Sequence, residues 1–224
     1  MSSTKGAASN NMTDSLESIL SYLKKIPSLK VDWLIDPQKT AVIVIDMING
    51  FTREGTLQSP RATALIPTIT KLIKHAHEYG IAVVAFADCH PDDSVEYEAF
   101  PIHAKAGTSE CELVDEIKAL GRYHLINKNS TNGFLEEAFQ TWLAENPHID
   151  TFIITGVCTD ICIQQFATTL KAYFNRKNQR SLVAVPIDAV DTYDTEEHNA
   201  KLAHIMALYF MKNSGVQLFS CVEY

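Results

Sequence analysis

The sequence lacks the features that mark nucleic-acid-binding, membrane-spanning and secreted proteins. It has 19 basic and 27 acidic side chains, a formal net charge of −8, and no run rich in lysine or arginine. Neither a nucleic acid nor an anionic membrane surface is therefore expected as a partner. No apolar run approaches the roughly 18 residues that a membrane-spanning helix needs. Residues 1–8 have no apolar segment like that of a signal peptide, so we expect a cytoplasmic protein.

A disulfide framework is also absent. The five cysteines are odd in number and widely spaced, and free thiols are expected in a reducing compartment. A buried cysteine is most often a small hydrophobic residue, so a chemical role needs support from its surroundings. The five are Cys89, Cys111, Cys158, Cys162 and Cys221.

Strand-like and helix-like segments alternate from residue 40 to the C-terminus. The strands are apolar on both faces, which is typical of a parallel sheet covered on both sides. We therefore predict a three-layer α/β/α fold with a central, mostly parallel sheet of about six strands. The predicted strands are 40–46, 81–87, 123–127, 151–154, 181–187 and 216–220, and the predicted helices are 61–79, 111–120, 133–145, 164–174 and 196–211.

The N-terminal part differs in composition from the rest. Residues 1–12 are rich in serine, asparagine and alanine and are predicted to be disordered. Leucine and isoleucine at helical spacing predict a short helix over 16–23. We predict an N-terminal extension, residues 1–36, and one domain, residues 37–224, with the extension packed on that domain or on a neighbouring subunit.

The most informative segment is Gly-Val-Cys-Thr-Asp-Ile-Cys at 156–162. It joins a predicted strand to a predicted helix and places Cys162 in the first turn of that helix. The free N–H groups and partial positive charge of a helix N-terminus favour a thiolate. The same N–H groups can hold a developing oxyanion. The turn predicts a nucleophile, and a redox thiol is the alternative.

Polar residues follow neighbouring strands at their carboxyl ends, where ligands bind in open parallel sheets. Asp46 ends the first predicted strand and Lys128 follows the third. Asp46 could take the proton of Cys162, and burial would raise its pKa toward that task. Lys128 would favour the thiolate. The alternatives are that Asp46 caps the next turn and that Lys128 is a surface lysine.

A second set of residues, Asp88, His90 and His103, suits a divalent ion. Asp88 and His90 can reach one ion from an extended strand end, and Glu96 lies on the intervening loop as a fourth candidate. The alternative is a polar loop with two unrelated histidines. Three further residues near the last loops are interpreted as structural: Asp188, Asp191 and His198.

These pieces resemble the isochorismatase-like cysteine hydrolases and, within them, the nicotinamidases. The match runs in the family's order from about residue 40 to the C-terminus. Its pieces are Val-Ile-Asp-Met-Ile-Asn-Gly-Phe at 44–51, Asp-Cys-His at 88–90, Phe-Pro-Ile-His at 100–103 with Gly-Thr at 107–108, Lys128, and the segment 156–162.

The resemblance implies an Asp–Lys–Cys triad, here Asp46, Lys128 and Cys162. It also implies a cis peptide bond between Val157 and Cys158, which would turn the N–H groups of Cys158 and Cys162 toward the oxyanion. The implied activity is hydrolysis of nicotinamide to nicotinate and ammonia, in NAD salvage, through a thioester on Cys162.

The resemblance to nicotinamidases further implies a metal held by Asp88, His90 and His103, joined in some members by a glutamate at the position of Glu96. Zinc is the expected ion, with manganese or iron as alternatives, and it is thought to bind the pyridine nitrogen. Phe51 resembles the aromatic residue that stacks on the nicotinamide ring.

Some positions depart from the family pattern. After Lys128 the chain reads Asn-Ser-Thr-Asn at 129–132, where bacterial nicotinamidases usually show an aspartate and a Tyr-Ser pair. Two alternatives follow: an isochorismatase-type or other small-amide or carbamoyl hydrolase, and a non-catalytic ligand-binding or scaffold subunit. The expected partners are a small-molecule amide and, as is common in this family, further copies of the chain.

Overall fold

The computed structural model describes residues 11–30 and 36–224. The predicted disorder of residues 1–12 falls mainly on residues 1–10, which lie outside the described residues. Met12 already belongs to the first helix, whose N-terminus is capped by the Asn11 side chain through a bond from Thr13 N–H. No helix in the described ranges is long and apolar enough to cross a membrane.

The central sheet confirms the predicted fold class. The described strands are β1 (Leu29–Lys30), β2 (Thr40–Ile45), β3 (Ala82–Asp88), β4 (His124–Lys128), β5 (Thr151–Val157), β6 (Leu182–Pro186), β7 (Val190–Asp191), β8 (Gln217–Phe219) and β9 (Val222–Glu223). Seven of them form the central sheet in the order β4-β3-β2-β5-β6-β8, with β7 paired to the end of β5. All of these pairings are parallel.

Helices cover both faces of the sheet. In β2, Ile43 and Ile45 pack in one apolar cluster, whereas Val42 and Val44 pack in a second cluster on the other face. Each such fully buried side chain contributes about 1.5–3 kcal/mol of hydrophobic stabilisation. The α-helices are α1 (Met12–Leu23), α2 (Asn49–Thr52), α3 (Pro60–Ala64), α4 (Ile66–Tyr79), α5 (Asp115–Lys118), α6 (Glu137–Glu145), α7 (Gln164–Arg176) and α8 (Ala200–Asn213).

Several predicted helix boundaries are wrong. The helix predicted over 61–79 is two helices, α3 and α4, and the one predicted over 111–120 shrinks to the single turn of α5. The helix predicted from residue 196 begins only at Ala200, because the Asn199 side chain accepts the N–H of Leu202 and caps it there. The residues before Asn199 therefore form a loop, and part of this loop lines the candidate active site.

The described part of the N-terminal segment is joined to the C-terminal part of the chain. Strand β1 pairs with β9 in a separate two-stranded parallel sheet. Helix α1 lies against α8, and Lys212 Nζ sits 4.2 Å from the centroid of the Tyr22 ring. These contacts fit the predicted packing of the extension on the domain. The division at residues 36 and 37 stays a prediction.

Candidate active site

Four neighbouring strand ends bring the predicted catalytic residues together. Asp46 directly follows β2, Lys128 is the last residue of β4, and Cys162 lies in the turn after β5. Lys128 Nζ is 2.9 Å from Asp46 Oδ2 and 3.7 Å from Cys162 Sγ. The same Nζ is 2.7 Å from Asp88 Oδ1, at the end of β3. Lys128 is therefore the centre of the group and not a surface lysine.

The backbone near Asp46 is shaped for this arrangement. Asp46 adopts a positive φ of 56° and its Oδ1 accepts the N–H of Asp88 at 3.1 Å. Gly156, at the end of β5, has a φ of 115°, and a Cβ there would lie 1.9 Å from the carbonyl oxygen of Ile45. Only glycine therefore allows β5 to pass this close to the end of β2.

Burial and charge together set the proton affinities of the cluster. Burial raises the pKa of Asp46 to about 7, although Lys128 acts in the opposite direction. Burial alone would lower the pKa of Lys128, but Asp46 and Asp88 hold that pKa well above its ordinary value. Lys128 therefore stays charged, while Asp46 can exchange a proton near neutral pH. The direction predicted for Asp46 is confirmed.

The expected low pKa of Cys162 is wrong. The residue lies in a π-helical turn, Thr159–Ile163, that precedes α7, and only 6% of its surface is exposed. Burial raises the pKa of its thiol well above the ordinary value and outweighs the opposing effect of Lys128. The helix N-terminus and nearby lysine do not produce a resting thiolate here, so the thiol needs a base.

The turn carries the cis peptide bond that the family resemblance implies, between Val157 and Cys158. Burial raises the pKa of the Cys158 thiol to about 12. The pKa of Cys162 is raised as well, so its neighbours are what distinguish it from Cys158. Lys128 Nζ lies 3.7 Å from Cys162 Sγ, and Asp46 interacts with the same thiol. The backbone of Cys158 lies in the turn that leads to Cys162.

The second predicted set also comes together. One ligand atom from each of Asp88, His90, Glu96 and His103 lies within 4.8 Å of all the others. His90 Nε2 is 3.2 Å from Asp88 Oδ1, and His103 Nε2 is 3.4 Å from Asp88 Oδ2. Asp88, His90 and His103 are buried and Glu96 is partly buried. The interpretation of two unrelated histidines is wrong.

The donor atoms of this set suit a divalent ion. His90 Nδ1 lies 2.9 Å from Asn129 Oδ1, and His103 Nδ1 lies 2.7 Å from the carbonyl oxygen of Pro101. With Nδ1 donating to oxygen, each ring presents its Nε2 lone pair to the group. Within the described ranges, His90 Nε2 is buried with no hydrogen-bond partner. Two nitrogen and two carboxylate donors form a set that binds zinc or a similar ion.

Asp88 links the two groups electrostatically. Burial opposes its ionisation, but Lys128, His103 and His90 together hold the pKa of Asp88 far below its ordinary value. The carboxylate therefore stays ionised and available as a ligand.

A pocket opens over both groups. Its volume is about 350 Å³, and its floor includes Cys162 and Asp88. The Phe51 ring lies on its wall, with its centroid 5.8 Å from that of His103. Three of its lining residues within the described ranges are carboxylates, and none is a lysine or arginine. The three are Asp88, Glu96 and Glu197.

Comparison with known proteins agrees with this architecture. A model of the Isochorismatase domain matches residues 40–214, well over half of the chain. The chain belongs to the isochorismatase family. It is 27% identical over 245 residues to Nicotinamidase 1 from Arabidopsis thaliana, covering 93% of this chain and 98% of that protein. It is also 27% identical over 199 residues to a probable inactive nicotinamidase from the same organism, covering 80% and 91%.

A solved structure from the isochorismatase-like fold extends the comparison. The crystal structure of N-carbamoylsarcosine amidase from Thermoplasma acidophilum matches with a TM-score of 0.67 and 28% identity. The match covers 83% of this chain and 98% of that chain. These identities show the family and its hydrolase fold and leave the substrate of this member to its own pocket.

Some residues of this isochorismatase-family site were missed from the sequence. Tyr193, Thr195 and Glu197 line the pocket, although this segment was predicted partly as helix. Asn129 contacts His90, although it was noted only as a departure from the bacterial pattern. No local pattern marks these residues, because their roles come from contacts with distant segments.

Proposed function

We propose that this protein is a metal-dependent cysteine amidohydrolase that converts nicotinamide and water to nicotinate and ammonia. One observation carries the proposal. Cys162, which contacts the buried Lys128–Asp46 pair, lines the same pocket as Asp88, Glu96 and His103 of the candidate metal group. The likeness to Nicotinamidase 1 over nearly the whole chain supports the same reaction.

The first half-reaction forms a thioester. Asp46 accepts the thiol proton while Sγ of Cys162 attacks the amide carbon, and the C–S bond forms. We assign the N–H groups of Cys158 and Cys162 to the oxyanion. Asp46 then passes the proton to the amide nitrogen, the C–N bond breaks, and ammonia leaves. The pKa of Asp46, about 7, suits this residue both to accept the proton and to donate it.

The second half-reaction returns the enzyme to its starting state. Asp46 accepts a proton from water as the water oxygen attacks the thioester carbon. The C–S bond breaks, and the proton on Asp46 returns to the sulfur of Cys162. The second proton of the water leaves with the product acid, which ionises to nicotinate in solution. Lys128 stays charged throughout and offsets the negative charge on Asp46 and Asp88, which lie 2.9 and 2.7 Å from its Nζ.

Asp88, His90 and His103 would hold the ion, with Glu96 as a fourth ligand. A divalent ion bound there supplies a Lewis acid beside the substrate. We propose zinc, with manganese and iron as alternatives. Phe51, next to His103, offers a flat apolar wall to an aromatic ring.

The pocket's charge favours a neutral amide over the same-fold alternatives. Isochorismate and N-carbamoylsarcosine both carry carboxylates, which lysine or arginine usually binds. The described pocket lining has three carboxylates and neither of those cations. Nicotinamide is uncharged and needs no such cation.

The burial of charged residues at the site argues against the non-catalytic alternative. One relative is named a probable inactive nicotinamidase, so activity itself has to be tested. In this chain, however, Lys128 and Asp46 are buried at 1% and 0% exposure. Burying ions costs several kcal/mol each before pairing, and a scaffold gains nothing from that arrangement.

Ammonia release from an amide panel tests the proposal. The panel contains nicotinamide, N-carbamoylsarcosine and a simple aliphatic amide, with isochorismate followed separately, and the metal content of the protein is measured in parallel. We expect nicotinamide to give the fastest ammonia release in the panel. We also expect about one bound divalent ion per chain. Ligand binding without product would support the scaffold alternative. The cytoplasmic location and homo-oligomer stay predictions.

A further inference from the structure

The turn that carries Cys162 is tied to one wall of the pocket by an aspartate–histidine pair. Asp160 lies two residues before Cys162, and its Oδ2 is 2.7 Å from Nε2 of His198. His198 belongs to the pocket loop, defined as residues 192–199, which connects β7 to α8. The two residues are 38 positions apart in the sequence, so the pair is a tertiary contact between two separate parts of the site.

The other side of the His198 ring is also held. Nδ1 of His198 lies 2.9 Å from the carbonyl oxygen of Tyr193. The Tyr193 ring stacks on the imidazole with a centroid distance of 4.0 Å and an angle of 18° between the planes. Both ring nitrogens thus face oxygen acceptors, and one ring face is covered, so the imidazole cannot rotate without losing these contacts.

Tyr193 is the residue that this arrangement holds at the pocket. It is partly buried and lines the pocket together with Phe51 and Cys162. The loop itself is irregular, and its internal bonds join Thr195 to the backbone of His198. Those internal bonds shape the loop, whereas the bond between His198 and Asp160 joins it to the Cys162 turn.

We propose that Asp160 and His198 are positioning residues that hold Tyr193 as a substrate-contacting wall of the pocket. The Tyr193 ring then sets the affinity for a planar amide, while Asp160 keeps that wall in register with the nucleophile. This assignment rests on the proposed amidohydrolase function. It adds a specificity-determining residue, Tyr193, and two residues that act through it.

A double-mutant cycle tests the assignment with the amide that the wild type hydrolyses. His198→Ala and Tyr193→Ala each raise KM roughly tenfold, the change expected for loss of one well-placed aromatic contact, with a smaller change in kcat. The double variant raises KM no further than Tyr193→Ala alone, because His198 acts through the tyrosine. Additive effects, or a fall in kcat with unchanged KM, would overturn the proposal.

Conservative variants separate positioning from general damage. Asp160→Asn keeps an oxygen that can accept from His198 and retains a KM close to the wild type, whereas Asp160→Ala behaves like His198→Ala. If His198→Ala does not fold, His198→Leu takes its place, because leucine fills the space of the imidazole but neither bonds Asp160 nor stacks on Tyr193. A raised KM in Asp160→Asn equal to that of Asp160→Ala would contradict the role of the bond.

His204→Ala is the matched control. His204 also contacts the Cys162 turn, with Nδ1 2.9 Å from Thr159 Oγ1, but it belongs to α8 and not to the pocket loop. Its loss is expected to leave KM unchanged. A rise in KM equal to that of His198→Ala would show that any contact to the turn has this effect and would overturn the specific role of His198.

Amide hydrogen exchange gives a second readout that needs no substrate. We expect faster exchange at Tyr193 and Thr195 in His198→Ala and unchanged exchange there in His204→Ala. Equal exchange in both variants and the wild type would overturn the positioning role. If the wild type hydrolyses no amide, the proposed function fails, and the exchange result still decides whether His198 holds the loop.

Discussion

The two halves of the active site both bury charged groups, but they balance the charge differently. In the triad half, Lys128 supplies a cation 2.9 Å from Asp46. In the metal half, the carboxylates of Asp88 and Glu96 converge with the imidazoles of His90 and His103. Among the described residues, Lys128 is the one cation that contacts this half, and it does so through Asp88. The triad half therefore has its cation within the chain, whereas the metal half brings together lone pairs and carboxylates that a divalent cation would balance in the function we propose.

The two halves have different roles in the reaction we propose. The triad half carries the covalent chemistry we propose, and its pKa pattern, with Asp46 near 7 and Cys162 raised, depends on burial. The metal half lines one wall of the pocket and, in the function we propose, holds a divalent ion. Four predictions test this division, in order of decreasing effect.

Replacing the nucleophile gives the largest effect. Cys162→Ala loses turnover by roughly 10⁴-fold or more, because Cys162 is the thiol that Lys128 and Asp46 contact. Metal content stays at the wild-type value, because Cys162 belongs to the other half of the site. Ammonia release and metal analysis on the same sample measure both. Cys221→Ala, a partly exposed thiol elsewhere, retains activity, and substantial turnover by Cys162→Ala would rule out the thioester.

Removing the shared lysine damages both halves. Lys128→Met leaves the buried carboxylates of Asp46 and Asp88 without their cation, which we expect to lower the free energy of unfolding by about 3–5 kcal/mol. Urea denaturation measures it. Lys118→Met is the matched control, because Lys118 bonds Glu112 and Asp115 at the exposed surface and such pairs contribute about 0–1 kcal/mol. Equal losses in both variants would contradict a central role for Lys128.

Much of this arrangement can be predicted from the sequence. Buried parallel strands leave apolar runs such as Thr40–Ile45, and the polar residue that ends each run marks the edge where a site forms. Asp46, Asp88 and Lys128 were found in this way. The strand ends are informative because neighbouring parallel strands must deliver their last residues to the same place.

The remainder depends on tertiary contacts that a local pattern does not contain. The helix N-terminus suggested a thiolate at Cys162, but the extent of its burial, which reverses the pKa shift, appears only once the turn is packed. The contact between His198 and Asp160 likewise joins residues far apart in the chain, so His198 was interpreted as structural. The two-residue strand β7 is too short to leave an apolar pattern.

Removing the metal is expected to lower turnover but to leave Cys162 reactive. After chelation and removal of the chelator, turnover falls roughly 10²-fold, because the Lewis acid beside the substrate is lost. Adding zinc or manganese back restores it. Reaction of Cys162 with a small thiol reagent, followed by mass spectrometry, should continue in the metal-free protein. Unchanged turnover after verified metal removal would show that this group of ligands has no part in the reaction.

The smallest effect concerns the residue that orients one metal ligand. Asn129 Oδ1 lies 2.9 Å from Nδ1 of His90, so it favours the tautomer whose Nε2 lone pair faces the other proposed metal ligands. Loss of such a partner costs about 10- to 100-fold in metal affinity, and we expect the lower end for Asn129→Ala because Asn129 is itself exposed.

Competition with a chelator of known affinity measures this change, and saturating metal should restore most of the turnover. Asn132→Ala is the control, because Asn132 lies on the same loop but bonds Thr169 instead. If Asn129→Ala and the control bind metal equally well, the orientation of His90 is set by burial alone. A loss of turnover in Asn129→Ala that excess metal does not restore would instead mean that Asn129 acts on the triad half, and the division between the two halves would then be wrong at this residue.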